Sequence, residues 1–181
     1  MIRQMDSSSD PRFPIGRFSF KPNPSIEDRR GYILQIASVP NALRDAVRGM
    51  TDSMLDTRYR EEGWTVRQVV HHLFDSHANA YIRFRLALTE DHPRVTAYDE
   101  KAWADLADTQ SVPVDVSLGL LDGLHARWVA TLNAMQDSDF GRNIDHPDNG
   151  IMSVDELLQM YAWHGDHHIA HVTSLKQRMG W

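Results

Sequence analysis

Histidine is the residue type whose number and spacing in this sequence most clearly indicate chemistry. Seven of the ten histidines lie in two short windows, residues 71–77 and 164–171, whereas cysteine is absent. Without cysteine the chain can form no disulfide, thiolate-ligated zinc site or iron–sulfur cluster, and it offers no cysteine nucleophile. Imidazole ligands remain, and these suit divalent metals such as zinc and nickel.

The spacing of His164 and His168 places two imidazoles on one face of a helix. Residues four apart lie one turn apart on the same side. Both histidines continue an apolar stripe with helical spacing, formed by Leu157, Tyr161, Val172 and Leu175. Two adjacent interior imidazoles are costly unless they are hydrogen-bonded or bound to something. The pair therefore predicts half of a metal site that faces the interior of the protein.

A site of this kind needs a further ligand from a facing helix, and the first histidine window offers three candidates. They are His71, His72 and His77. Helical spacing favours His72 modestly, because this residue begins a polar stripe beside the apolar face of its helix. Three histidines without a carboxylate would leave coordination positions open for water or a substrate atom, which is typical of catalytic sites.

Other interpretations of the histidines remain open. Each could be a hydrogen-bonded core residue with no ligand, and His167 and His171 form a second, more ambiguous pair that could orient a ligand. Three further histidines stand alone, as surface or core residues: His92, His125 and His146. The sequence contains neither His-Glu-x-x-His nor Glu-x-x-His, which disfavours a zinc peptidase and a di-iron carboxylate bundle.

The elements that must position these histidines are four long amphipathic helices. Their starts are marked by Ser25, by the capping box Thr65–Gln68, by Pro113 after Ser111, and by the capping box Ser153–Glu156. The second helix is predicted over 65–90, and Gly180 ends the fourth. We expect Pro40 to kink or divide the first helix. Four such helices in a chain of this length predict an all-α four-helix bundle.

The remaining segments are predicted as follows. Residues 1–12 form a disordered tail, and an extended arm rich in proline precedes the first helix within a single domain over 13–181. A short helix over 99–107 turns Trp103 inward, and residues 137–152 form a loop.

Charge and hydropathy exclude several classes of partner. Nineteen basic and twenty-five acidic residues give a net charge of −6, which argues against a general nucleic-acid-binding protein. No apolar run approaches the ~18 residues that a membrane-spanning helix needs. The N-terminus is polar and lacks the apolar region of a signal peptide, so we expect a cytoplasmic protein.

Several stretches together resemble the DinB-like superfamily, and its YfiT group most closely. The most specific is WTVRQVVHHL at 64–73, followed by Asp75-Ser76-His77. Further agreement is found in YDEKAW at 98–103, in YAWHGDHHIAH at 161–171, in RMGW at 178–181, and in the short matches at 14–16 and 50–52. The resemblance extends from about Pro14 to Trp181, which is too widespread for a coincidence of short motifs.

This resemblance implies a fold, a ligand set and a class of activity. The fold is an up-down-down-up four-helix bundle, usually a homodimer. The positions that match the metal ligands of the family are His72, His164 and His168, and none departs from the motif. The YfiT group implies a metal-dependent hydrolase, whereas relatives in the superfamily are transferases and isomerases that use bacillithiol, mycothiol or glutathione.

The absence of cysteine is compatible with thiol transfer, since a low-molecular-weight thiol co-substrate would have to come from outside the chain. Such a thiol could lose its proton at the open coordination position and attack an electrophile. We expect the substrate pocket to be lined by Ser76, Asn79, Arg83 and Tyr161, with Arg83 able to bind a carboxylate. The alternative is a bundle that binds a metal or ligand without turnover.

Overall fold

Four long helices dominate the computed structural model, which describes residues 10–181. They are α1 (Ile26–Val47), α3 (Val66–Thr89), α6 (Val114–Ala134) and α8 (Val154–Met179). Shorter elements connect them: α2 (Asp52–Leu55), α4 (Glu100–Ala104), α5 (Ala107–Ser111), α7 (Asp137–Phe140), β1 (Asn143–His146) and β2 (Gly150–Ser153). Most of the tail predicted over 1–12, residues 1–9, lies outside the described residues.

The starts of the long helices follow from local hydrogen bonds. The Thr65 hydroxyl accepts from the Gln68 N–H, and the Gln68 side-chain oxygen accepts from the Thr65 N–H, which completes the predicted capping box. Ser25 caps α1 in the same reciprocal way with Asp28. At α8 the Ser153 hydroxyl accepts from the N–H of Glu156. The return bond from the Glu156 side chain, which the predicted capping box at α8 requires, is not formed. Side-chain capping therefore fixes where α3 and α8 begin, whereas α6 begins at Pro113 without a side-chain cap.

Polar contacts at the ends of α1 fix its direction relative to two neighbours. Arg29, near the start of α1, is ion-paired with Asp155, near the start of α8, at 2.7 Å. Arg44, near the end of α1, is ion-paired with Asp122, in the first half of α6, at 2.6 Å. Helix α1 therefore runs parallel to α8 and antiparallel to α6.

Equivalent contacts fix the direction of α3. His71, near the start of α3, bonds Ser117, near the start of α6, at 2.7 Å. Arg83, near the end of α3, bonds Tyr161, near the start of α8, at 2.9 Å. Helix α3 is therefore parallel to α6 and antiparallel to α8, and the four helices run up, down, down and up. The predicted bundle topology is confirmed.

A layer of histidines divides the apolar core into two clusters. One cluster lies towards the end where α1 and α8 begin, and includes Ile36, Phe84, Trp128 and Leu157. The other lies towards the opposite end, and includes Leu43, Val69, Leu121 and Val172. Between them is the histidine layer, which we define as His72, His77, His125, His164 and His168. Apolar packing on both sides therefore encloses the polar centre of the bundle.

Three details of the sequence prediction differ from the structure. Helix α1 continues through Pro40 without being divided, and Nδ1 of His125 bonds the Ile36 carbonyl that proline leaves without a backbone donor. Trp103 is 39% exposed instead of facing inward, and its ring packs against Tyr98 at 4.5 Å. The segment 137–152, predicted as a loop, contains α7 and pairs β1 with β2 in an antiparallel hairpin. Strands of four residues are too short to show a reliable alternation.

The arm before α1 contains neither helix nor strand among residues 10–25, has turns at 11–12 and 14–15, and docks on α8. The backbone of Lys21 both donates to and accepts from the side-chain amide of Gln159, at 2.8 and 3.0 Å. Phe18 lies beside Trp163 with ring centroids 6.0 Å apart. The arm is thus joined to α8, the helix that carries His164 and His168. Within residues 10–181, no helix combines the length and apolar character that crossing a membrane would require.

Candidate metal centre

Three histidines from two antiparallel helices meet in the histidine layer. One ring nitrogen from each of His72, His164 and His168 lies within 4.8 Å of the other two. His72 is on α3, whereas His164 and His168 are one turn apart on α8, with ring centroids separated by 4.5 Å. The structure thus brings together the three residues that the resemblance indicates as ligands.

Burial keeps these three imidazoles neutral. His72 and His168 are only 3% and 8% exposed, and His164 is half-buried. Removal from water lowers the pKa of His72 to about 3, and it holds the pKa values of His164 and His168 well below the usual range. Each neutral ring keeps one nitrogen lone pair, which is the form that binds a metal.

Two ring nitrogens in this cluster support a metal as the missing partner. Nε2 of His72 and Nδ1 of His168 are buried and have no hydrogen-bond partner among the described residues. A buried polar atom left unpaired costs about 1–3 kcal/mol. A divalent cation would satisfy the lone pair of His72, and three imidazoles form a donor set that suits zinc or nickel. The residues present therefore fit a metal ion.

Trp64 covers the cluster at the end where α3 begins. Its ring centroid lies 4.5 Å from that of His72 and 6.2 Å from that of His168. The capping box at Thr65 fixes the start of α3 and thereby places Trp64 beside the first turns of the helix. The spacing argument did not single out this residue. The sequence signal that could have identified Trp64 is its position as an aromatic residue immediately before the capping box of α3.

A cavity of about 310 Å³ opens beside His164. Its wall includes three of the predicted pocket residues: Ser76, Arg83 and Tyr161. Asn79 is not among the lining residues, because its side-chain amide donates to the carbonyl of Asp75 one turn earlier on its own helix, at 2.9 Å. A larger and more open depression, of about 890 Å³, is lined by Trp64 and Gln68 but by none of the clustered histidines.

Arg83 is the basic group on the wall of this cavity. Its guanidinium donates to the Tyr161 hydroxyl at 2.9 Å and to the carbonyl oxygen of Thr96 at 3.1 Å. The side chain is 7% exposed, and its Nε has no partner among the described residues. Two bonds fix the plane of the guanidinium and leave donors for a further oxygen atom. Arg83 is therefore suited to orient an anionic or carbonyl group next to His164.

The cavity also contains residues that the spacing of α3 could not indicate. They come from the α3–α4 connection, from α4 and from the hairpin, and include Tyr98, Glu100 and His146. Glu100 is exposed at the rim, where partial desolvation by the cavity wall raises the pKa of its carboxyl group and the charge of Arg83 opposes this shift. Because the hairpin was predicted as a loop, its contribution to the wall was missed. The composition of segment 143–153 offered only the turn Asp-Asn-Gly as a signal.

The second histidine pair of α8 lies outside the cluster. His171 stacks on Tyr59 with ring centroids 3.9 Å apart, and His167 packs against Trp163 at 4.4 Å and against Phe13 of the arm. Both rings are buried, and neither belongs to the group of converging nitrogens. This pair supports packing between α8, the arm and the segment before α3.

The remaining histidines divide into buried and exposed positions. His77 is fully buried, and His125 and His146 are 3% and 6% exposed. His92 is on the surface. His77 and His125 are hydrogen-bonded to each other at 2.9 Å, and His77 also contacts His164 at 3.3 Å. A histidine expected to be isolated is thus connected to the cluster.

Comparison of the sequence and the structure with known proteins identifies the family of this chain. The model of the DinB superfamily matches residues 35–172, which is most of the bundle and includes all three clustered histidines. The chain belongs to the DinB superfamily. The resemblance seen in the sequence is therefore confirmed, including its YfiT group, because near-full-length relatives carry that name.

Three matches define this similarity. The chain is 49% identical over 170 residues to "Putative metal-dependent hydrolase YfiT" of Bacillus subtilis, covering 93% of this chain and 96% of the relative. It is 47% identical over 173 residues to a Bacillus cereus protein with the same functional name, covering 96% and 99%. The solved structure of YfiT matches with a TM-score of 0.92 at 49% identity, covering 94% and 98%.

The YfiT structure is described as a probable metal-dependent hydrolase with an unusual four-helix bundle topology. The directions of the helices in the present structure, up, down, down and up, agree with an unusual topology, because bundles with short loops usually alternate. The parallel neighbours α3 and α6 require the long connection that contains α4 and α5. That connection also supplies part of the cavity wall.

Proposed function

We propose that this protein is a metal-dependent enzyme in which His72, His164 and His168 hold one divalent cation, zinc or nickel. The observation that carries the proposal is the convergence of three neutral imidazoles, two of them buried and that of His164 half-buried, with Nε2 of His72 lacking a partner among the described residues. Relatives that share nearly the whole chain are named as metal-dependent hydrolases, which supports the same class of activity.

A metal held by these three histidines would supply Lewis acidity, which can polarise a substrate oxygen or lower the pKa of a bound water or thiol. The protein holds the ligands rigidly, because apolar clusters pack on both sides of the histidine layer. Trp64 packs against the rings of His72 and His168 at one end of the site. The open side is the cavity beside His164, where a substrate would enter.

Arg83, Tyr161 and Ser76 orient the substrate in this proposal. Arg83 binds an anionic or carbonyl oxygen, and the Tyr161 hydroxyl keeps the guanidinium in place. Burial raises the pKa of Tyr161, so its hydroxyl stays protonated. Glu100 offers a carboxylate on the same wall that is able to accept a proton. Hydrolysis in this cavity would add water across an ester or amide bond.

Thiol transfer is the second candidate, because the resemblance implies it for other members of the superfamily. The absence of cysteine from the chain is compatible with it, since the thiol would come from outside. A small thiol from solution would supply the sulfur atom, which bonds to an electrophilic carbon as the leaving group departs with the electron pair. The thiol proton passes to a base or to water. Cavity residues that orient a hydrolase substrate would orient the thiol equally well, so the assay must separate the two reactions.

The reaction is tested with metal-loaded protein and two probes. p-Nitrophenyl acetate reports hydrolysis, and 1-chloro-2,4-dinitrobenzene reports transfer when bacillithiol or glutathione is added. Turnover of the ester without thiol supports hydrolysis. Thiol-dependent release of chloride supports transfer. If both probes are consumed no faster than with the His168→Ala variant, the alternative function, a bundle that binds a ligand without turnover, is favoured.

The cellular setting is also part of the proposal. We propose a cytoplasmic homodimer that acts on a small molecule and binds neither nucleic acid nor membranes. The net charge of −6 supports the part of this proposal that concerns nucleic acid. Light scattering coupled to size-exclusion chromatography measures the assembly, and a monomeric mass would contradict the dimer.

A further inference from the structure

A continuous chain of hydrogen bonds runs from helix α1 to the candidate metal centre. It begins at the carbonyl oxygen of Ile36, which lies 2.8 Å from Nδ1 of His125. Nε2 of His125 lies 2.9 Å from Nδ1 of His77. Nε2 of His77 lies 3.3 Å from Nδ1 of His164. Three helices, α6, α3 and α8, thus each contribute one imidazole to the same chain.

Pro40 explains why the Ile36 carbonyl is available as the first acceptor. In a regular helix this oxygen would accept from the N–H four residues later, and that residue is Pro40, which has no N–H. Both Ile36 and Pro40 are buried, so water does not replace the lost donor. His125 supplies the replacement, because its Nδ1 reaches the carbonyl from the facing helix α6.

The carbonyl fixes the direction of every hydrogen bond in the chain. A carbonyl oxygen can only accept, so Nδ1 of His125 carries the proton, and Nε2 of this neutral ring keeps a lone pair. Nε2 of His125 must then accept from Nδ1 of His77. By the same reasoning, Nε2 of His77 accepts from Nδ1 of His164. The remaining nitrogen of His164, Nε2, is left with a lone pair and no proton.

We propose that His77 and His125 are positioning residues that hold His164 in the Nδ1–H tautomer and thereby direct its Nε2 lone pair to the metal. This inference rests on the proposed metal site. Among residues 10–181, no carboxylate is hydrogen-bonded to the ring of His77, His125 or His164. The orienting group of a metal-bound histidine is commonly a carboxylate or a carbonyl, and here a carbonyl acts through two intervening imidazoles.

Burial of His77 and His125 maintains the hydrogen bonds between these histidines. His77 is fully buried and His125 is 3% exposed, so neither ring exchanges its hydrogen bonds with water. Removal from water lowers the pKa of His125 to about 4. The fully buried ring of His77 has an imidazole on each side and no carboxylate hydrogen-bonded to it, so nothing there stabilises a second proton. Both rings are therefore neutral at neutral pH, with one proton each. A neutral ring that donates at one nitrogen is obliged to accept at the other.

The tautomers are measured directly in the metal-free protein by nitrogen-15 NMR of the histidine rings. The expected result is a protonated Nδ1 and an unprotonated Nε2 for His77, His125 and His164. A protonated Nε2 on His164 in the wild-type protein would overturn the inference. This measurement needs no bound metal. Its outcome is therefore independent of whether the proposed metal site is correct.

Variants then test the effect on the metal. His125→Phe removes the acceptor for His77, and we expect both tautomers of His164 and a loss of zinc affinity of about 10–100-fold, as for other partners of metal ligands. His125→Gln can donate to Ile36 and accept from His77, so it should restore the Nδ1–H tautomer and most of the affinity. Zinc affinity is measured by competition with a chromophoric chelator.

Trp128→Phe is the matched control for a purely structural effect. The Trp128 ring lies 5.6 Å from both His77 and His125, and its Nε1 has no partner among the described residues. Its truncation should lower the melting temperature without changing the His164 tautomer or the zinc affinity. Equal losses of affinity in all three variants, or an unchanged tautomer in His125→Phe, would overturn the inference. Failure of the wild-type protein to bind zinc would instead contradict the proposed function.

Discussion

Gly165 on α8 lies so close to Val39 on α1 that a β-carbon added to it would be 2.5 Å from Cγ2 of Val39. The same β-carbon would lie 3.6 Å from Cε1 of His77. Glycine therefore lets the two parallel helices approach at the level of the histidine layer. Because Gly165 directly follows His164, this approach also sets the position of one candidate ligand.

The change Gly165→Ala is expected to force α1 and α8 apart. Overpacking a close contact of this kind costs about 1–3 kcal/mol. Denaturant unfolding measures the loss in the free energy of unfolding. Gly119→Ala on α6 is the control, since no atom lies within 4 Å of the added β-carbon, and alanine there should stabilise by roughly 0.5–1 kcal/mol. Equal effects at the two glycines would contradict the account.

The ion pair between Arg29 and Asp155 is expected to stabilise the parallel pairing of α1 and α8. Both side chains are mostly buried, at 17% and 13% exposure, and the Nη2–Oδ2 distance is 2.7 Å. Asp155→Ala leaves the guanidinium without its main partner, which should lower stability by about 1–3 kcal/mol. The control is Asp45→Ala, whose partner Arg48 is 74% exposed, and it should leave the melting temperature unchanged.

Stability of the metal-free protein should fall as the solution is acidified. Burial lowers the pKa of His125 to about 4 from its ordinary value of 6.5. Between these values the unfolded chain binds a proton that the native ring does not bind. The free energy of unfolding therefore falls by up to about 1.4 kcal/mol per pH unit for this residue, and its contribution is constant above the window.

Urea unfolding over this pH range measures the slope, with His125→Gln as the comparison. The glutamine does not titrate, so the variant should lose less stability on acidification than the wild-type protein does. Parallel pH profiles would show that His125 is not the group responsible.

Substitution of Arg83 should impair catalysis more than folding. Arg83→Lys keeps the positive charge but loses the forked geometry that contacts both Tyr161 and Thr96. Loss of one charged hydrogen bond to substrate costs about 1.5–3 kcal/mol, so kcat/KM should fall roughly 10–100-fold on whichever probe is turned over. Arg85→Lys is the control, because Arg85 bonds Tyr81 outside the cavity. Equal activity of both variants would remove Arg83 from the substrate site.

The sequence predicted those features that local rules determine. The Thr65–Gln68 box set the start of α3, Ser153 set the start of α8, and Gly180 ends α8 with a φ of 72°. The spacing of His164 and His168 was enough to predict two ligands on one face, because a helix of fixed pitch converts spacing into direction. Helical spacing favoured His72 only modestly as the third ligand over His71 and His77, so its assignment also required the family resemblance.

Features that depend on contacts between distant segments could not be predicted from local sequence rules. Pro40 was predicted to kink or divide α1, yet the helix is not divided, and nothing in the sequence shows that His125 reaches the carbonyl that proline leaves free. Asn79 had the correct spacing for the pocket, yet its amide bonds its own helix. The hairpin that contributes His146 to the cavity contains strands of four residues, which alternation cannot reveal.

The central claim is tested most directly by the metal content of tag-free protein. After removal of metal and reconstitution with zinc or nickel, the wild-type protein should retain about one ion per chain. Alanine at His72, His164 or His168 should each reduce this to a small fraction. The His171→Ala control, on the same helix but outside the converging nitrogens, should retain the ion. A wild-type protein that holds no stoichiometric metal, or three variants that bind as the wild type does, would contradict the account.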